Sequence, residues 1–170
     1  MFARLLLACC LFVLSGLAVQ AEALSGKVSW VYDGDTLQVE KVGKVRLLGI
    51  DTPEHEASSR DDFYVRNFAI QADKLRNVAQ QAKKFNIQQV KGKTVSLEYD
   101  RIVRDKHDRV LAYVYLPNGD MLNRLLLAEG LATVFRRYDF RYKKDFLATE
   151  KNARQKHLGL WGDAPVPWGY

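Results

Sequence analysis

The chain has 170 residues, 48% of them hydrophobic, and a formal charge of +6. That is enough apolar material for one domain with a core of its own, without staples. Its two cysteines, Cys9 and Cys10, both fall in the apolar N-terminal run, so the remainder offers no disulfide, no thiolate metal site and no cysteine nucleophile.

Residues 1–23 have a positive charge at Arg4, an apolar run from Leu5 to Val19 and small residues at Ala21 and Ala23. This is the pattern of a secretory signal peptide cleaved near Ala21 or Ala23. The apolar run is shorter than the roughly 20 residues of a spanning helix. A lipobox-like order ends at Cys9, but cleavage there leaves almost no apolar segment ahead of it and exposes Leu11 to Val19, so lipoprotein anchoring ranks second. Up to Ala21 the leader contains one charged residue, Arg4, so the basic balance belongs to the mature domain, which is expected to be secreted or periplasmic. Excess positive charge favours polyanions over neutral partners.

Alternation then marks strands: Val28, Trp30 and Tyr32, next Leu37 and Val39, then Val45 and Leu47 opposite Arg46 and Leu48, with a turn at residues 41–44. Tyr64, Phe68, Ala72, Leu75, Ala79 and Ala82 recur at helical spacing, which predicts a single helix over residues 64–85. Val95, Leu97 and Tyr99 alternate, as do Leu111, Tyr113 and Tyr115, ahead of a turn at residues 117–120. A short helix from Leu122 stops at Gly130, and a last helix over residues 141–157 stops at Gly159. The domain is expected to cover residues 24–161, followed by a short tail at 162–170. Five strands ordered three, helix, two, then two helices, fit an α+β protein whose strands close a small barrel; the OB-fold is one such barrel.

Chemistry concentrates in a few short segments. Asp33-Gly34-Asp35-Thr36 and Asp51-Thr52-Pro53-Glu54 bracket the strand that carries Arg46. Carboxylate and carbonyl oxygens without nitrogen or sulfur competitors suit Ca²⁺ or Mg²⁺. The first cluster is equally an ordinary Asp-Gly turn, and the second a polar strand end in which Pro53 holds Thr52 extended. Arg46 interrupts an apolar strand beside these acids, which fits either a phosphate clamp or an ion pair with Asp35 or Asp51. Arg109 follows in the charged turn Asp105-Lys106-His107-Asp108.

Taken together, Asp-Gly-Asp-Thr, Arg46-Leu47-Leu48-Gly49-Ile50-Asp51-Thr52-Pro53-Glu54, the Asp-Lys-x-x-Arg turn, Gly130-Leu131-Ala132 and Leu158-Gly159-Leu160-Trp161 resemble the staphylococcal nuclease (thermonuclease) family in order and over nearly the whole domain. The resemblance implies a five-stranded OB-fold barrel with three α-helices and Ca²⁺-dependent hydrolysis of DNA and RNA by a monomer without stable membrane association, single strands being cut more readily. It also implies that Asp35, Asp51 and the Thr52 carbonyl hold calcium, with Asp33 as a supporting carboxylate. Arg46 and Arg109 would grip the phosphate and Glu54 would handle the attacking water. Lys106 and Tyr138 would make flanking substrate contacts. The chain departs from the family at His107-Asp108, where Tyr-Gly is frequent, and at Arg136-Arg137, where the family type has a further tyrosine. Two other readings of the same residues are an inactive nucleic-acid-binding OB domain and an extracellular calcium-binding module.

Overall fold

A computed structural model describes residues 24–162; the leader with Cys9 and the tail beyond residue 162 lie outside the described residues. Five strands close a barrel in the order β1-β2-β3-β6-β5, with β5 returning to β1. They are β1 (Leu24–Val31), β2 (Thr36–Val39), β3 (Gly43–Leu47), β5 (Thr94–Glu98) and β6 (Val110–Tyr115). Only the β3–β6 pairing is parallel. A second, two-stranded ribbon joins β4 (Ile50–Asp51) to β7 (Thr133–Val134). The α+β barrel expected from the sequence is therefore present.

The barrel interior is filled by Val28, Val31, Leu37, Val39, Val45, Leu47, Val95, Val110, Ala112 and Val114. In β1 the inward positions are Val28 and Val31, a spacing that plain alternation does not give. A bulge between Val28 and Trp30 changes the register against β2 and turns Trp30 and Tyr32 outward. In β6 both faces are covered: Ala112 and Val114 point into the barrel, while Tyr113 packs edge-on against Tyr142, 4.6 Å between centroids, and Phe146, 6.1 Å. The apolar run of β6 therefore carries no clean two-residue period.

Among the described residues four α-helices are present where three were expected: α1 (Asp61–Phe68), α2 (Ala72–Val90), α3 (Leu122–Ala128) and α4 (Lys143–Gln155), followed by a 3₁₀ turn at Gly159–Trp161. The single helix expected over residues 64–85 is two. Ala69 adopts the left-handed conformation, φ 55°, and its N–H returns to the Val65 carbonyl at 2.9 Å, which closes α1. The break puts Ile70 in the core and sets Phe68 against Trp161, 5.2 Å between ring centroids. No glycine or proline marks it, so periodicity reads through. Helix α2 then buries Leu75, Val78, Ala79, Ala82, Asn86 and Val90 along one face.

The two helix-stop glycines meet. A Cβ on Gly159 would lie 2.4 Å from the Gly130 carbonyl oxygen, and Leu160 N donates to that oxygen at 2.9 Å. Both have positive φ, so neither position accepts a side chain, and the closing turn is locked onto the end of α3.

Candidate functional site

The acidic turn after β1 is held from beneath by α2. Gly34 sits where a Cβ would come within 2.7 Å of both Ala82 Cβ and Thr52 Oγ1, so glycine is required by close approach. Asn86, fully buried on α2, donates through Nδ2 to the Gly34 carbonyl at 2.9 Å and to that of Asp33 at 3.3 Å. Asp35 N donates to Asp33 Oδ1 at 2.9 Å. Asp33 is thus a support for the turn that presents Asp35.

Asp35 and Asp51 are both buried, with 4% and 6% of their surface exposed. Asp35 Oδ2 accepts from Thr52 N and Thr52 Oγ1, each at 3.1 Å, and its Oδ1 accepts from Thr36 Oγ1 at 3.1 Å. Asp51 Oδ2 accepts from the buried Tyr64 hydroxyl at 3.1 Å and from Arg60. One guanidinium bridges the two acids: Arg46 Nη1 pairs with Asp35 Oδ1, and Nη2 with Asp51 Oδ1 at 2.9 Å. Of the alternatives left by the sequence, the structure shows the turn and the ion pair: Asp35 N donates to Asp33 within the turn, and Arg46 is paired with both Asp35 and Asp51.

Arg109 approaches from β6. Asp105 holds its Nε at 2.8 Å and its Nη2 at 2.7 Å, and Arg109 Nη1 lies 3.4 Å from Thr36 Oγ1. Glu54 stands at the rim, lining an open cleft of about 450 Å³ with Tyr32, Asp33, Ser58 and Arg60. Burial pushes the Glu54 carboxyl upward, and the neighbouring charges of Asp33 and Asp51 push it the same way, against Arg46 and Arg60. Burial likewise raises Asp33, opposed by Arg46. Burial would also raise Asp105, but hydrogen bonds from the Arg109 side chain and backbone and from His107 outweigh it and hold its carboxyl low.

Seven of the expected residues therefore converge: Asp33, Asp35, Arg46, Asp51, Thr52, Glu54 and Arg109. Lys106 is exposed in the Arg109 turn. Tyr138, 58% exposed, lies beside Phe135 on the loop after β7, with the Arg137 guanidinium 5.7 Å from its ring. Arg136 is committed elsewhere, to the buried Glu150. Four residues were not singled out from the sequence: Arg60, Tyr64, Asn86 and Asp105. Two of them left a signal: Asp105 heads the Asp-Lys-x-x-Arg turn, and Asn86 is a polar side chain on an otherwise apolar helix face.

The donors facing one another here are carboxylate, hydroxyl and backbone oxygens, the set a hard dication prefers. Among the described residues no three acidic, histidine or cysteine side chains gather as one metal-binding cluster. All four oxygens of Asp35 and Asp51 already take hydrogen bonds or ion pairs, from Arg46, Thr36, Thr52, Tyr64 and Arg60, so a cation here would share these oxygens with or displace those partners, and water would have to complete its shell.

Comparison with known proteins shows the family. Residues 44–163 match the family model described as staphylococcal nuclease homologue. The chain is 34% identical to an uncharacterized endonuclease of Escherichia coli over 92% of its own length and 90% of that protein's. It is 32% identical to a thermonuclease of Staphylococcus hyicus over 81% of this chain and 75% of that one. It is also 38% identical to an uncharacterized protein of Methanocaldococcus jannaschii, over 80% and 70%.

Proposed function

Because the chain belongs to the staphylococcal nuclease family and is a nuclease, we propose that it is a calcium-dependent phosphodiesterase acting on both DNA and RNA, with Asp35, Asp51 and the Thr52 carbonyl as the cation ligands. The observation that carries this reading is the single Arg46 guanidinium spanning two buried carboxylates, with Arg109 and Glu54 beside it.

A dication held by these oxygens would supply positive charge to a phosphate oxygen and favour ionisation of an adjacent water. The chain's own residues supply the rest. Asp35 and Asp51 hold Arg46 through Nη1 and Nη2, and Asp105 holds Arg109 through Nε and Nη2, so both guanidiniums are restrained before substrate arrives. Two preorganised guanidiniums match the two non-bridging oxygens of a phosphodiester and strengthen as charge accumulates on them during attack. Glu54, at the open side of the cleft, orients the attacking water and accepts its proton; its upward shift makes it a better base than an ordinary surface carboxylate. Thr36 links Asp35 to Arg109, which couples the ligand side of the site to the clamp side.

Charge contacts from Arg46 and Arg109 to a phosphate carry no base or sugar information, which supports cleavage with little sequence or sugar discrimination. The open cleft favours a flexible single strand over a duplex. No described helix is long and apolar enough to cross a membrane; the apolar N-terminal run, read as a leader, supports action outside the cytoplasm.

The test is digestion of DNA and RNA by the mature protein in Ca²⁺, in Mg²⁺ and in chelator. Glu54→Gln and Arg46→Ala should each lose a factor of about 10² to 10³ in rate. Calcium-independent cleavage, or variants as active as wild type, would refute the assignment.

A further inference from the structure

The outer face of the β1–β2–β3 sheet carries a feature that the hydrolytic centre does not use. The register sets Trp30 opposite Gln38 and Gln38 opposite Lys44; one row further along, Tyr32 N bonds Thr36 O and Thr36 stands opposite Arg46. All six side chains project from the same face, because each row is two residues from the next. One row ends in the phosphate clamp. The adjacent row ends in Lys44 and begins with Trp30, which is 51% exposed.

These rings are presented, not spare. The bulge between Val28 and Trp30 turns them outward while Val31 stays in the core. The Tyr32 hydroxyl donates to Gln38 Oε1 at 3.1 Å, which fixes the ring on the sheet, and Tyr32 also lines the cleft that holds Glu54. Each ring has a lysine on it: Lys44 Nζ lies 4.5 Å from the Tyr32 centroid and Lys91 Nζ 5.0 Å from that of Trp30. The barrel is closed, so this face has no strand edge that pairing with another chain could explain.

We infer that Trp30 and Tyr32, with Lys44 and Lys91, form a base-stacking subsite for the single-stranded stretch of substrate that flanks the scissile phosphate. The inference rests on the nuclease reading and extends it. Two aromatic rings about 7 Å apart along a strand can take successive bases splayed from one backbone. The lysines complement the intervening phosphates. An exposed amine resting on a ring is held more weakly than a stacked base, so each lysine can leave its ring for a phosphate as a base takes its place. The rows make the subsite continuous with Arg46, so a strand gripped at the clamp reaches Trp30 without crossing a gap. Stacking tolerates any base, which suits an enzyme without sequence preference.

The test uses Glu54→Gln protein in Ca²⁺, whose turnover is slowed enough for binding to be read before the oligomer is cut, and a labelled oligothymidylate of about eight nucleotides. Adding Trp30→Ala should weaken binding about tenfold, Trp30→Phe should recover most of it, and Lys44→Ala should lower the salt slope by about one ion. A nucleoside bisphosphate, which reaches only the clamp, should bind all of them alike, and melting temperatures should match. Oligomer titration should also quench an emission component that Trp30→Phe lacks. Equal octamer affinity in Trp30→Ala, or an equal loss for the bisphosphate, overturns the subsite while leaving the nuclease intact. Wild-type protein that neither cleaves nor binds the oligomer overturns both.

Discussion

Arg109 Nη1 lies 3.4 Å from Thr36 Oγ1, across 73 positions of sequence, and this contact joins the turn at the end of β1 to the turn that precedes β6. Thr36 also donates to Asp35, so the guanidinium is placed relative to a candidate cation ligand as well as to the sheet. What keeps it there is Asp105, whose Oδ2 takes both Nε and Nη2. Asp105→Asn retains an oxygen for the backbone N–H groups of His107 and Arg109 but removes the charge that orients the guanidinium. The expected outcome is a loss of about tenfold in kcat/KM, against about 10² to 10³ for Arg109→Ala, which removes the clamp itself. Steady-state cleavage of a short labelled oligonucleotide measures both. Full activity in Asp105→Asn would show that Thr36 alone suffices.

The same carboxylate predicts an acid-stability profile. Its folded pKa is depressed below the ordinary value of 3.8, because hydrogen bonds from Arg109 and His107 outweigh burial. A depressed carboxylate contributes stability that is fully present above the unfolded pKa and is lost as pH falls through the folded one. The melting-temperature gap between wild type and Asp105→Asn should therefore be level above about pH 5 and close as pH falls below 3.8. A gap that stays constant across that window would mean that the pair carries no net charge-dependent stability.

Much of this candidate centre is legible in the sequence because its carboxylates sit at strand ends, where the chain must turn and short motifs mark the positions. Arg46 stands out because it interrupts an apolar strand. Arg60 and Tyr64 do not, because they reach Asp51 from a helix start and a helix interior with no fixed spacing to it. The bulge after Val28 is equally silent: Trp30 and Tyr32 alternate with Val28 in sequence, yet one extra residue turns them to solvent. Helix α1 ends for a tertiary reason, the burial of Ile70 and the seating of Phe68 on Trp161, with no residue of low helix propensity at the break.

That break carries a prediction about stability. Ala69 has φ 55° and ψ 31°, a conformation in which its Cβ is crowded and which glycine adopts freely. Its side chain is exposed, so nothing in the core is lost by removing it. Ala69→Gly should therefore stabilise the protein by about 0.5–1 kcal/mol, against the usual direction of an alanine-to-glycine change. Urea unfolding with an unchanged slope reads this directly. A loss of similar size would mean that the unfolded chain's gain in freedom exceeds the relief of strain.

Glu150 ties the far side of the molecule to the site. It is 2% exposed on α4; its Oε1 accepts from Val134 N at 3.0 Å, and its Oε2 pairs with Arg136 and, at 3.2 Å, with Arg154. Arg154 in turn lies over Trp161, 4.1 Å from the ring centroid, and over Phe68 at 4.7 Å. Val134 and Thr133 pair with Ile50 and Asp51, so the carboxylate of α4 anchors the ribbon that carries a candidate ligand. Glu150→Ala leaves the buried Val134 N–H without its acceptor and two guanidiniums without their counter-ion. The expected cost is about 2–3 kcal/mol, below that of a wholly buried pair because both arginines are partly exposed to water. Arg136→Ala should cost less, since Arg154 and the Val134 N–H still satisfy the carboxylate, and it should leave affinity for a nucleoside bisphosphate unchanged. Chemical denaturation gives the first two values and calorimetry the third. A selective loss of bisphosphate affinity in Arg136→Ala, without loss of stability, would place Arg136 on the substrate and not in the frame that holds β7 to α4.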